Sequence, residues 1–158
     1  MRDFARDRER FITRHPHAVL MWAPAKASGQ FIETTQVTKI PTEPVRGEPI
    51  ALEVVKEVVN GFPFGVTIGH AENNDIVLSN THVSRFHAYI KPGPKGSTLV
   101  DADSTNGTFL DGVKLAPTKP TPLPPEAHIS FGGEVVKYLE PKELVAHLTE
   151  LLARPPLE

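Results

Sequence analysis

An all-β fold of two packed sheets, with a short helical extension at each end, is what this sequence predicts, and three observations carry the prediction. From residue 51 onward, short β-rich runs alternate with turn residues at intervals of about ten residues, the spacing of a sandwich or barrel. The run that follows Ser84 alternates in character, the period of a half-buried strand. Helical periodicity is confined to the two ends, and 158 residues at 39% hydrophobic and 23% charged suffice for one domain with a real core.

The elements follow in chain order. Residues 2 to 14 read as a short helix, with Phe4, Phe11 and Ile12 on one face and Pro16 as its stop. Arg2, Arg6, Arg10 and Arg14 recur every four residues, a stripe that reads as a solvated face partly neutralised by Asp3, Asp7 and Glu9 rather than as a nucleic-acid or lipid surface. AVLMW (18–22) and FIETTQVTKI (31–40) are strand-like, or apolar segments laid against a domain, and Pro41, Pro44 and Pro49 then punctuate a linker. Thr34, Thr35 and Thr38 read as polar threonines of a strand before they read as modification sites. Strands are expected near 51–59, 65–69, 75–78, 86–91, 97–101, 107–110, 113–115, 127–131 and 134–139. The stretch 116–125 carries five prolines and is expected to be an extended connector, not a strand. PKELVAHLTELLA, 141–153, opens on proline and places Leu144, Leu148, Leu151 and Leu152 on one helical face. The expected organisation is an extension with linker over 1–50, the β domain over 51–140, and a helix with tail over 141–158.

Composition narrows the function. Seventeen basic residues against nineteen acidic give a net charge of −2, so no overall field draws nucleic acid or an anionic membrane, and neither is expected as a partner. There is no cysteine, hence no disulfide or thiolate metal site. The one early apolar run is too short for a membrane span, and a soluble cytoplasmic protein is expected.

Three turns hold nearly all the polar residues that a site could use: GHAENND at 69–75, SNTHVSRFH at 79–87 and DSTNG at 103–107. Taken singly, Ser84 and Thr105 read as turn caps, and Asn106 as the residue ahead of a tight turn at Gly107. Taken together, Gly69, Asn74-Asp75-Ile76, Val83-Ser84-Arg85-x-His87-Ala88 and Ser104-x-Asn106-Gly107-Thr108, with Asp111-Gly112 and Phe131-Gly132 behind them, resemble the forkhead-associated (FHA) domain over about residues 51 to 139.

The resemblance implies an FHA-type β-sandwich whose loops bind a phosphothreonine-containing protein or peptide, a Ser/Thr kinase or its substrate being the expected partner. It implies no cofactor and no catalysis. Ser84 and Thr105 would cradle the phosphate through hydroxyl and backbone donors, and Asn106 would fix the ligand backbone with both of its amide functions. Arg85 would stand at the rim, His87 would brace the loops from inside, and His82 would reach a ligand residue downstream of the phosphothreonine. Gly69 and Gly107 complete the structural motif.

The sequence departs from the family pattern at His70, where the family places arginine after the first-loop glycine. A histidine offers one donor toward the ligand and is mostly neutral at pH 7, so losing a forked, charged contact would cost about 2 kcal/mol, or about thirtyfold in affinity. That leaves an alternative in which the scaffold survives and binds an unphosphorylated partner or itself. A zinc site from His70, His82 and His87 lacks acidic or thiol ligands at a recognisable spacing. A hydrolase lacks a nucleophile elbow or a paired acid and base.

Overall fold

A computed structural model describes residues 8–14, 16–22, 39–40, 50–56 and 60–153. Its elements in chain order are α1 (Arg8–Arg14), β1 (Val19–Trp22), β2 (Lys39–Ile40), β3 (Ile50–Glu53), β4 (Val66–Gly69), β5 (Ile76–Leu78), β6 (Ala88–Lys91) and β7 (Ser97–Asp101). There follow β8 (Thr108–Leu110), β9 (Val113–Lys114), β10 (Thr121–Leu123), β11 (His128–Phe131), β12 (Glu134–Leu139) and α2 (Pro141–Ala153). Two six-stranded sheets form, ordered β3-β1-β12-β11-β8-β9 and β10-β7-β6-β4-β5-β2.

The space between the sheets is filled from both sides. Leu20, Leu52, Ile129, Phe131, Val136 and Tyr138 of the first sheet face Val66, Ile68, Ile76, Ile90 and Leu99 of the second. A fully buried side chain of this kind contributes about 2 kcal/mol through area removed from water. A second, smaller core lies on the outer face of the first sheet, where Leu144, Val145 and Leu148 of α2 cover Val19, Met21 and Leu139, with Ile12 of α1 packed beside them. α2 therefore packs on the sandwich.

The strand-like reading of 18–22 holds, but its place differs from the expected extension. β1 lies inside the first sheet, antiparallel to both β3 and β12, with Leu20 opposite Leu52 on one side and Tyr138 on the other. Its uninterrupted apolar run is explained by burial on both faces, Leu20 inward and Val19 and Met21 under α2. Of the strand-like 31–40 only Lys39–Ile40 are described, pairing in parallel with β5. The expected strand 51–59 is β3, which ends at Glu53, and residues 57–59 lie outside the described residues, as do 2–7 of the expected first helix.

One expectation is corrected by the structure. The proline-rich 116–125 segment contains β10, which pairs with β7 in the register Thr121↔Leu99, Pro122↔Thr98 and Leu123↔Ser97. β10 stands at the edge of the second sheet, where a residue without an N–H can sit facing outward at no loss to the ladder.

Candidate functional site

The three polar turns meet at one end of the sandwich, because β4 ends where the chain must turn, β6 begins antiparallel to it, and β7 runs back alongside β6. β4 and the turn before β6 are sewn together by backbone. The His70 N–H donates to the Ser84 carbonyl at 2.9 Å, and the Ala71 N–H to the Arg85 carbonyl at 3.1 Å. The approach is so close that a Cβ on Gly69 would overlap the Arg85 carbonyl, which explains the glycine. Buried Asn74 completes the seam, its amide donating to the carbonyls of Ala71 at 2.8 Å and Arg85 at 2.7 Å.

His87 is fully buried and joins the second turn to the third. Its Nδ1 accepts the Ser84 N–H at 3.0 Å, and its Nε2 lies 3.0 Å from the Gly107 carbonyl, so the neutral ring carries its proton on Nε2 and donates there. Phe131 meets the ring edge to face at 5.8 Å. Burial lowers the imidazole pKa below its ordinary value, against the Gly107 bond and the nearby Asp101 charge, which raise it. With both nitrogens occupied, His87 has none to offer a metal.

Asp101 holds the third turn. Its carboxylate accepts the Ser104 hydroxyl at 2.5 Å, the Ser104 N–H at 3.1 Å and the buried Thr108 hydroxyl at 2.6 Å. Burial pushes this carboxyl up, but the donors from Ser104 and Thr108 outweigh it and hold the pKa below the ordinary value. Gly107 adopts φ +85°, the left-handed conformation expected of an Asn-Gly turn.

Above this frame stand the exposed residues. Ser84 Oγ accepts the Thr105 N–H at 3.0 Å, binding the second turn to the third, and among the described residues no acceptor takes its own hydroxyl proton. Asn106 Nδ2 donates to the His82 carbonyl at 2.7 Å, which turns its Oδ1 away from the loop. His70, His82, Arg85, Thr105 and Asn106 are exposed, and among the described residues the side chains of His70, His82, Arg85 and Thr105 make no hydrogen bond or ion pair. The fold thus brings Ser84, Arg85, Thr105, Asn106, His70 and His82 to one surface and places His87 beneath them. Hydroxyl, amide and guanidinium donors converge there with one guanidinium charge, a composition suited to an oxyanion on an extended chain. Among the described residues, no group of three His, Cys, Asp or Glu side chains is arranged to hold a metal ion.

Residue spacing did not reveal three supports. Asn80 caps its own turn, with Oδ1 accepting the His82 N–H at 2.9 Å and its carbonyl accepting the Val83 N–H at 3.0 Å. Glu134 accepts from Asn80 Nδ2 at 2.9 Å and from Trp22 Nε1 at 3.1 Å. Asn80 could have been suspected as an Asx turn from the sequence. Glu134 and Trp22 carry no local signal.

Comparison with known proteins gives the same picture. Residues 66–132 match the FHA domain family model. Over 53 residues the chain is 43% identical to the ABC transporter ATP-binding/permease protein Rv1747 of Mycobacterium tuberculosis, covering 34% of this chain and 6% of that protein. Over 72 residues it is 33% identical to the FHA domain-containing protein FhaB of Mycolicibacterium smegmatis, covering 46% of this chain and 45% of that one. The chain therefore spans less than half the length of these relatives. In three dimensions it is similar to Mycobacterium tuberculosis EmbR in complex with a low-affinity phosphopeptide, with a TM-score of 0.51 at 18% identity over 78% of this chain and 24% of that chain, a likeness of fold. The stretch from β4 to the turn after β11, which carries all three site loops, is the part of the chain that matches the FHA domain family.

Proposed function

We propose that this protein is a cytoplasmic adaptor module that binds phosphothreonine-containing segments of other proteins, downstream of a Ser/Thr kinase. The observation that supports it is the convergence of Ser84, Thr105, Arg85 and Asn106 on one exposed surface, braced by His87 from below. The Ser84 hydroxyl, the Thr105 hydroxyl and the Arg85 guanidinium would take the phosphate oxygens, and Asn106 would hold the peptide backbone through its free amide oxygen. His82 would reach a ligand residue downstream of the phosphothreonine. The similar EmbR was solved with a phosphopeptide, which agrees with this use of the fold. Recognition is the whole activity in this proposal, and no bond is made or broken.

His70 stands where the family pattern has arginine, and it is exposed, its side chain without a hydrogen bond or ion pair among the described residues. In the proposal it assists the phosphate with one donor, more strongly when protonated. The competing possibility is a module that has given up phosphate and binds an unmodified partner. Calorimetric titration of a degenerate phosphothreonine peptide library and its unphosphorylated twin, at about pH 6.3 and pH 8, separates the two. Binding confined to the phosphorylated library supports the adaptor. Equal binding of both libraries, or binding by a His70→Arg variant alone, overturns it.

A further inference from the structure

The polar turn that presents His82 is tied to a strand sixty residues earlier in the chain through a carboxylate that no family motif includes. Glu134, the first residue of β12, is half-buried and makes no ion pair among the described residues. Each of its oxygens takes a different donor. Oε2 accepts the Trp22 indole N–H at 3.1 Å, and Oε1 accepts Asn80 Nδ2 at 2.9 Å. With Nδ2 committed to Glu134, the Asn80 side chain has its oxygen turned to the His82 N–H at 2.9 Å. A flipped amide would set N–H against N–H at His82 and oxygen against carboxylate at Glu134.

The same turn is pinned from two further directions. Asn106 donates to the His82 carbonyl at 2.7 Å, and Gly132, two residues before Glu134, comes so close that a Cβ there would overlap that carbonyl. The His82 backbone is therefore held between Asn106 in front and the β11–β12 turn behind, with Asn80 and Glu134 fixing its angle. The phosphate side is held by His87 on the Ser84 N–H and by Ser84 on the Thr105 N–H. The two halves share the third turn, through Asn106 and Thr105, but the bonds of Asn80 and Glu134 fall on the His82 half.

We infer that Glu134 and Trp22 are positioning residues for the His82 turn, so that the strand β1 sets how this surface reads ligand residues downstream of the phosphothreonine without setting how it holds the phosphate. The part concerning the ligand rests on the proposed phosphothreonine binding; the anchoring of the turn does not. Loss of the carboxylate leaves the Asn80 amide and the Trp22 indole without their acceptor, and the Asn80 oxygen is then free to leave the His82 N–H.

Amide hydrogen exchange in the uncomplexed full chain tests the anchoring, with Glu134→Ala, Glu134→Gln and Trp22→Phe compared at matched stability. The expected result is exchange at His82 and Val83 faster by about tenfold in Glu134→Ala, with the Ser84 amide, bonded to His87, unchanged. Glu134→Gln retains one acceptor oxygen and is expected to recover part of the protection. Unchanged exchange at His82 in Glu134→Ala, or equal acceleration at Ser84, overturns the inference. The second reading is peptide selectivity: across phosphothreonine peptides varied only at residues downstream of the phosphothreonine, native preferences are expected to shrink to within about twofold in Glu134→Ala, as in His82→Ala, and the double variant to add nothing. A uniform loss of affinity with preferences intact would overturn the ligand part. If no phosphopeptide binds the native chain while exchange at His82 still responds to Glu134, the proposed function fails and the anchoring stands.

Discussion

The buried frame of the site and its exposed rim use the same residue types for opposite ends. Asn74, His87 and Asp101 lie almost wholly out of water, and their polar atoms are spent on backbone and hydroxyl groups of the loops. His70, Arg85, Thr105 and Asn106 are exposed and keep side-chain polar atoms unbonded among the described residues. Ser84 belongs to both, accepting from Thr105 on one side and offering its proton on the other. The difference teaches that an Asn or a His in a motif says nothing of its role until its burial is known, since a buried polar group must be bonded inside the protein and an exposed one need not be.

Variants should separate the two layers. Replacing His87 with alanine strands the Gly107 carbonyl and the Ser84 N–H and opens a cavity against Phe131, so unfolding in urea is expected to show a loss of about 3 kcal/mol, with ligand binding lost as well. A loss below 1 kcal/mol would mean the frame is not what holds the loops. Ser84→Ala should weaken a phosphothreonine peptide by about thirtyfold, measured by calorimetry, while costing stability only about 1 kcal/mol. Arg85→Ala should weaken the same peptide by about tenfold, flatten its dependence on salt and leave the unfolding midpoint within about 0.5 kcal/mol of native.

Acid offers a finer test, because the shifted groups belong to the frame. Burial holds the His87 pKa below the ordinary 6.5, so below that pH the unfolded chain takes up a proton that the folded chain refuses. Stability from this ring is complete above about pH 6.5 and declines as the pH falls from there toward the folded value. Asp101, lowered from 3.8 by its hydroxyl and amide donors, adds a second decline below that pH. Denaturant midpoints taken every half unit from about pH 7.5 to about pH 2 should show both stages in the native chain, with the first reduced in His87→Gln.

The site was legible where chemistry and spacing coincide. Gly69, Ser84, Arg85, His87, Asn106 and Gly107 could be singled out because three turns each carry a short, ordered cluster, and some of the strands beside them announce themselves by alternation, as in 88–91 and 128–131. What was not legible is non-local. Trp22, Asn80 and Glu134 meet across separations of 112 and 54 residues, and no periodicity encodes such a meeting. β10 was missed because prolines argue against a ladder, an argument that fails at an edge. β1 was visible as a strand but not as a member of the sheet, since its neighbours β3 and β12 lie far along the chain.

That last feature bears on how the protein must be handled. With β1 between β3 and β12, a fragment begun at residue 51 would carry an open slot one strand wide, lined by two rows of unsatisfied N–H and C=O groups and floored by the apolar Leu52, Tyr138 and Leu139. Such a fragment would be expected to precipitate, or to borrow β1 from a neighbouring chain, and a peptide spanning 16–22 should rescue it in trans. The sandwich is thus completed by strands from outside the family-matched segment, β1 among them.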